Sequence, residues 1–106
     1  MQTATAALIS VLSQHIGQAN GISAEQLAQR LDCDARQVRK GISAARLDGV
    51  AVCGTPKSGY YIAATAAEME ATCQFLRRRA MHSLVLEARL RKVPLTDLVG
   101  QMKLRT

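Results

Sequence analysis

The sequence has no tryptophan, and its aromatic residues are Phe75, Tyr60 and Tyr61. A protein that grips single-stranded nucleic acid by stacking bases on rings needs more platforms than that. There is no glycine-rich phosphate loop, no pair of acids with a histidine nearby and no zinc-ligand spacing, so the signatures of a catalytic site are missing. The three cysteines, Cys33, Cys53 and Cys73, are odd in number and form no C-x-x-C pair, while His15 and His82 stand alone. They are expected to be reduced thiols of a cytoplasmic protein, serving as small apolar residues rather than as metal ligands. The opening stretch MQTATAALISVL has neither a basic flank nor a long apolar run. It is read as neither a signal peptide nor a membrane span. The expectation is therefore no enzyme, no cofactor, no metal and no membrane.

What is present is a basic chain with ample material for a core. Its 106 residues suit one compact domain, and 48% of them are apolar. Fourteen Lys and Arg stand against eight Asp and Glu, a net charge of +6, and arginine outnumbers lysine ten to four. Arginine suits bidentate contacts to phosphate and guanine. A small basic domain fits nucleic acid first, and an acidic protein or a membrane surface second.

Periodicity divides the chain into elements. Ala7, Leu8, Val11, Leu12 and Ile16 fall at 3- and 4-residue steps and predict a helix over 3–16, closed by Gly17 and the turn Ala19-Asn20-Gly21. Ser23-Ala24-Glu25-Gln26 is a capping box that opens a short helix with Leu27, Ala28 and Leu31 inward. Asp32-Cys33-Asp34 is a turn, and Asp34 can cap a third helix running from Ala35 to about Asp48, with Val38, Ile42 and Ala45 buried. Val50 to Cys53 and Tyr60 to Ala63 read as the strands of a hairpin around the loop Gly54-Thr55-Pro56-Lys57-Ser58-Gly59. Thr65-Ala66-Ala67-Glu68 is a second capping box, and the helix it opens continues to about Lys92, before Pro94. A short amphipathic piece over 95–104 ends the chain. The fold class is mostly α with a small β-hairpin.

Three helices followed by a two-stranded hairpin resemble the winged helix-turn-helix family of bacterial or phage regulators, including the DNA-binding end of biotin repressors. The resemblance rests on SAEQLAQRL from Ser23, on Arg36-Gln37-Val38-Arg39-Lys40-Gly41-Ile42, on Leu47-Asp48-Gly49-Val50 and on Gly59-Tyr60-Tyr61-Ile62. It covers about residues 5–63 and implies a winged domain over 1–64, which leaves the helical run over 65–106 as an extension. At about 100° per residue, the side of the third helix opposite Val38 collects Arg36, Lys40 and Ser43, with Arg39 and Arg46 on one flank and Gln37 on the other. Such a face suits the major groove of double-stranded DNA. The competing reading is an ordinary solvated face. In the wing, Thr55, Lys57, Ser58 and an outward Tyr61 are expected to meet the DNA backbone, with Tyr60 and Ile62 inward.

The long helix supplies the remaining expectations. Met69, Cys73, Leu76, Ala80 and Leu84 form a stripe that can pack on the winged domain. Met81, Leu84, Val85, Leu86, Leu90, Leu98 and Met102 are candidates for a homodimer contact, since paired subunits match a palindromic site. Arg77-Arg78-Arg79 either adds phosphate contacts or simply solvates the helix. The functional expectation is a cytoplasmic, sequence-specific transcriptional regulator that represses by occupying an operator. The alternatives are a winged-helix protein-interaction module with a further protein partner, and a nucleoid or replication accessory protein of low sequence preference.

Overall fold

The computed structural model describes residues 3–102. In chain order the elements are α1 (Thr3–Leu12), a single 3-10 turn (Gln18–Asn20), α2 (Ala24–Leu31), α3 (Ala35–Leu47), β1 (Val52–Thr55), β2 (Gly59–Ile62), α4 (Ala66–Arg91) and α5 (Leu95–Gln101). This is the mostly helical, hairpin-bearing class expected from the sequence. The chain divides into two compact units, and the division falls between Thr72 and Cys73, inside α4. The predicted Leu104 lies outside the described residues.

The first unit is built on a three-helix core. Leu8 and Leu12 of α1, Leu27 and Ala28 of α2, and Val38, Ile42 and Ala45 of α3 are all buried together with Ile22, Val52 and Tyr60. Burying an aliphatic side chain of this size contributes about 1.5–3 kcal/mol, so this cluster is the main source of stability. The helices approach closely at Gly41, where a Cβ would stand 2.8 Å from Leu8 Cδ2. Local signals place the helix ends. Ser23 Oγ accepts from the Gln26 amide while Gln26 Oε1 accepts from the Ser23 amide. Asp34 and Gln37 repeat that reciprocal pair at the start of α3. Between the helices Asp32 is left-handed at φ 54°, and the Cys33 amide donates to Ala28 O, closing α2 tightly.

The structure shortens α1. It ends at Leu12 instead of continuing to 16, because the next residues pair with the hairpin. Ile62 N donates to His15 O and Gly17 N to Ile62 O, both at 2.8 Å, so Ile16 bridges to Ile62 as a one-residue strand. Ile22 pairs in the antiparallel sense with Tyr60. These backbone bonds cover part of the β2 edge that a lone hairpin would leave open.

The hairpin pairs Val52 with Ile62, Cys53 with Tyr61, Gly54 with Tyr60 and Thr55 with Gly59. Gly54 has φ 116°, and a Cβ there would collide with the backbone of Gly59, so only glycine serves. The first turns of α4 belong to this unit. Thr65 Oγ1 accepts from the Glu68 amide, and the Glu68 carboxylate accepts from the amides of Ala64 (2.8 Å) and Gln18 (2.9 Å). Those two backbone donors hold its carboxyl below the usual carboxylate value. Further along, buried Thr72 accepts from the Gly54 amide at 3.0 Å.

The second unit comprises the rest of α4 and α5. Ala88 and Leu98 are buried in it. Lys92 is left-handed at φ 57°, and the Val93 amide donates to Ala88 O, which stops α4 before Pro94. Two expectations change here. Of the predicted stripe, Met69, Cys73, Leu76 and Ala80 are exposed, whereas Thr72 is buried. Leu98, expected at a dimer contact, is instead buried within its own chain.

Candidate nucleic-acid interface

The buried stripe of α3 determines which side of it faces water. With Val38, Ile42 and Ala45 turned inward, Arg36, Lys40 and Ser43 are exposed on the other side. Gln37 is exposed as well. Its oxygen is held by the Asp34 amide, and its side-chain NH2 remains for another acceptor. Arg39 lies 3.7 Å from the Glu25 carboxylate, with both side chains more than half exposed. A pair of that kind contributes about 0–1 kcal/mol and yields readily to a stronger anion.

Arg46 takes a different part from the one expected on the flank of α3. Its Nε donates to Val52 O at 2.8 Å and its Nη2 to Gly54 O at 3.2 Å, and the guanidinium lies 6.0 Å from the centre of the Tyr60 ring. The side chain is therefore a clamp between α3 and β1. Helix periodicity could place it on a flank but could not reveal two carbonyls of the following strand within reach.

The wing also departs from expectation at one residue. Tyr61 is buried, 4% exposed, rather than outward. Its strand partner Cys53 is buried too, and the hydroxyl hydrogen-bonds to Thr72. Alternation gives a hairpin one wet face when only one side has a layer against it. Here the start of α4 covers the second face. Burial pushes the Tyr61 hydroxyl up, with the nearby Cys53 and Glu68 acting in the same direction.

At the hairpin tip, Thr55 and Ser58 lace the loop. The Thr55 amide donates to Ser58 Oγ, the Ser58 amide donates to Thr55 Oγ1, and Ser58 Oγ donates to Gly59 O. Lys57 stands exposed at the turn. Arg36, Gln37, Arg39, Lys40 and Ser43 are thus exposed together on α3, and Lys57 is exposed on a braced loop. Thr72, which braces the wing through the Gly54 amide, was missed by sequence reasoning because its partner lies far along the chain, and the capping box at Thr65 did not reveal that Glu68 also reaches the Gln18 amide.

His15, just past the end of α1, is tied to the 3-10 turn and to α2. Its Nδ1 is 2.8 Å from Asn20 O, and Arg30 Nη1 is 3.2 Å from its Nε2. The Nδ1–H tautomer satisfies both bonds. No helix among the described residues is long and apolar enough to cross a membrane.

No curated protein and no solved structure matches the chain. The model of one family does match, described as the HTH domain, over residues 8–61. That span opens within α1, includes the α2–turn–α3 pair and closes in β2, taking in half of the chain. The protein belongs to the HTH domain family, and its helices with the following hairpin form a winged helix-turn-helix DNA-binding domain.

Proposed function

We propose that the protein is a sequence-specific transcriptional regulator of the cytoplasm. In this reading α3 enters the major groove and the wing rests on the backbone. The observation that carries it is the basic and amide face of α3, which is exposed while the opposite face is locked into the core. Arg36 and Lys40 are the base or phosphate contacts, with Gln37, Arg39 and Ser43 beside them. Lys57 meets a phosphate. Repression is the mode of action, since occupancy of an operator is enough to block other proteins.

The protein acts as a homodimer. The support is the exposed apolar side chains on the C-terminal helices, where Leu90 is 85% exposed, with Met81 and Met102 also open. Val85 and Leu84, half-buried, border them. A paired regulator doubles its contacts and reads a palindromic site.

Selection of bound fragments from random duplex DNA tests this function. A selected site bound far more tightly than random duplex is the expected result. On that site Arg36→Ala combined with Lys40→Ala should weaken binding by roughly 2–4 kcal/mol with the fold intact. Wild-type affinity in the folded double variant would remove α3 from the groove. Sedimentation of the full chain checks the dimer, and a monomer at tens of micromolar would refute it.

A further inference from the structure

The charge is not where the helix-turn-helix is. Residues 1–72 carry six Lys and Arg against six Asp and Glu, and residues 73–106 carry eight against two. The winged unit is therefore neutral overall, and the whole net charge of +6 belongs to the C-terminal unit. Within the winged unit, Arg46 is held by the hairpin and Arg39 lies beside Glu25. Long-range attraction of a polyanion must come chiefly from elsewhere.

We infer that one face of α4 is a second DNA-contact surface, which holds the phosphate backbone without reading sequence. At about 100° per residue, Arg78, His82 and Arg89 fall within an arc of about 40°, and Phe75 and Arg79 extend it to about 100°. Arg78, Arg79, His82 and Arg89 are all exposed. Phe75 is half-buried and lies under Arg79, with 5.7 Å from the guanidinium to the ring centre, which restrains that charge. Phe75, Arg78, Arg79, His82 and Ser83 line a shallow depression along this face. Glu87 points about 140° away from His82 and is already bonded to Arg91 at 2.7 Å. Between Phe75 and Arg89 no carboxylate interrupts the face.

Its dimensions fit a duplex. Arg78 and Arg89 are separated by a rise of about 16 Å, enough to reach phosphates on both sides of a major groove about 12 Å wide. An anionic membrane fits less well. A helix lying in a bilayer surface needs one apolar side, and here apolar residues occur all round, with Phe75 and Leu86 on the basic face itself. Duplex DNA is the polyanion that family membership already brings to the chain.

The test uses the full chain and random-sequence duplex, titrated from about 50 to about 200 mM salt. The variant Arg78→Gln/Arg79→Gln/Arg89→Gln should stay folded, because arginine and glutamine have similar helix propensity and all three sites are exposed. Each phosphate contact adds about 0.9 to the salt slope, so over that range the wild-type affinity should fall about 40-fold further than that of the triple variant. The α3 variant Arg36→Ala/Lys40→Ala should keep most of the slope on random duplex and lose preference for a selected site. A folded triple variant with the wild-type slope overturns the inference. So does a triple variant that keeps DNA binding and loses only its binding to phosphatidylserine vesicles. If the α3 variant alone behaves as wild type, the proposed role of α3 fails while this surface stands.

Discussion

Replacing Arg46 with alanine distinguishes a structural clamp from a DNA contact. The guanidinium gives Val52 O and Gly54 O a charged donor each and lies against the Tyr60 ring. A hydrogen bond to a charged group contributes about 1.5–3 kcal/mol. Because Arg46 is only half-buried, the lower end applies to both bonds. The ring contact adds about 0.5 kcal/mol. The sum is about 3.5 kcal/mol, or a fall in Tm of roughly 14–28 °C for a domain of this size. Urea unfolding and a thermal melt of Arg46→Ala measure it directly. Arg46→Lys should recover little of the loss, since an ammonium group cannot span both carbonyls in the fork geometry. DNA affinity, measured well below the melting temperature, should fall mainly because the wing shifts on α3, with the salt slope unchanged. A variant as stable as wild type, but with a salt slope lower by about one, would refute the clamp and return Arg46 to the backbone contacts.

Two further outcomes follow from the bracing of the wing by α4. Thr72→Val removes the acceptor of the buried Gly54 amide and should cost about 1–3 kcal/mol, more than Tyr61→Phe, which removes only a hydroxyl. Thr72→Ser should restore most of it, and equal stability of Thr72→Val and wild type in urea would show that the amide finds another partner. The Glu68 carboxyl has a lower pKa folded than its usual 4.5, so its contribution is complete above that value and disappears as pH falls through the folded pKa. Acid titration of stability should therefore be shallower below about pH 4.5 for Glu68→Gln than for the parent, and identical curves would show that the Gln18 and Ala64 bonds are too weak to matter.

The local signals in the sequence were sufficient for the helix pair. Ser23 and Asp34 cap because their side chains reach an amide three residues on, and Asp32 turns because a short polar residue tolerates the left-handed region. Such effects are complete within one turn of chain, so they can be read without knowing the fold. The buried stripe of α3 was legible for the same reason, and with it the exposed side of Arg36, Lys40 and Ser43. The hairpin was legible as a hairpin, but its strands lie one or two residues away from their expected starts. Register depends on pairing with Ile16 and Ile22, which periodicity within the strands does not encode.

What the sequence by itself determined is the order of elements, their caps and turns, the inward stripes of α2 and α3, and the crowding of positive charge after residue 72. Each depends on neighbours within a few positions or on position along the chain alone. Only the tertiary structure decided that α1 stops at Leu12, that Tyr61 is covered, that Arg46 faces the hairpin and that the α4 stripe is left open. Those outcomes turn on contacts between residues distant in sequence, such as Gly54 with Thr72 and Gln18 with Glu68. A side chain's own periodicity says which way it can point, and the layer that arrives from elsewhere in the chain decides whether water or protein meets it there.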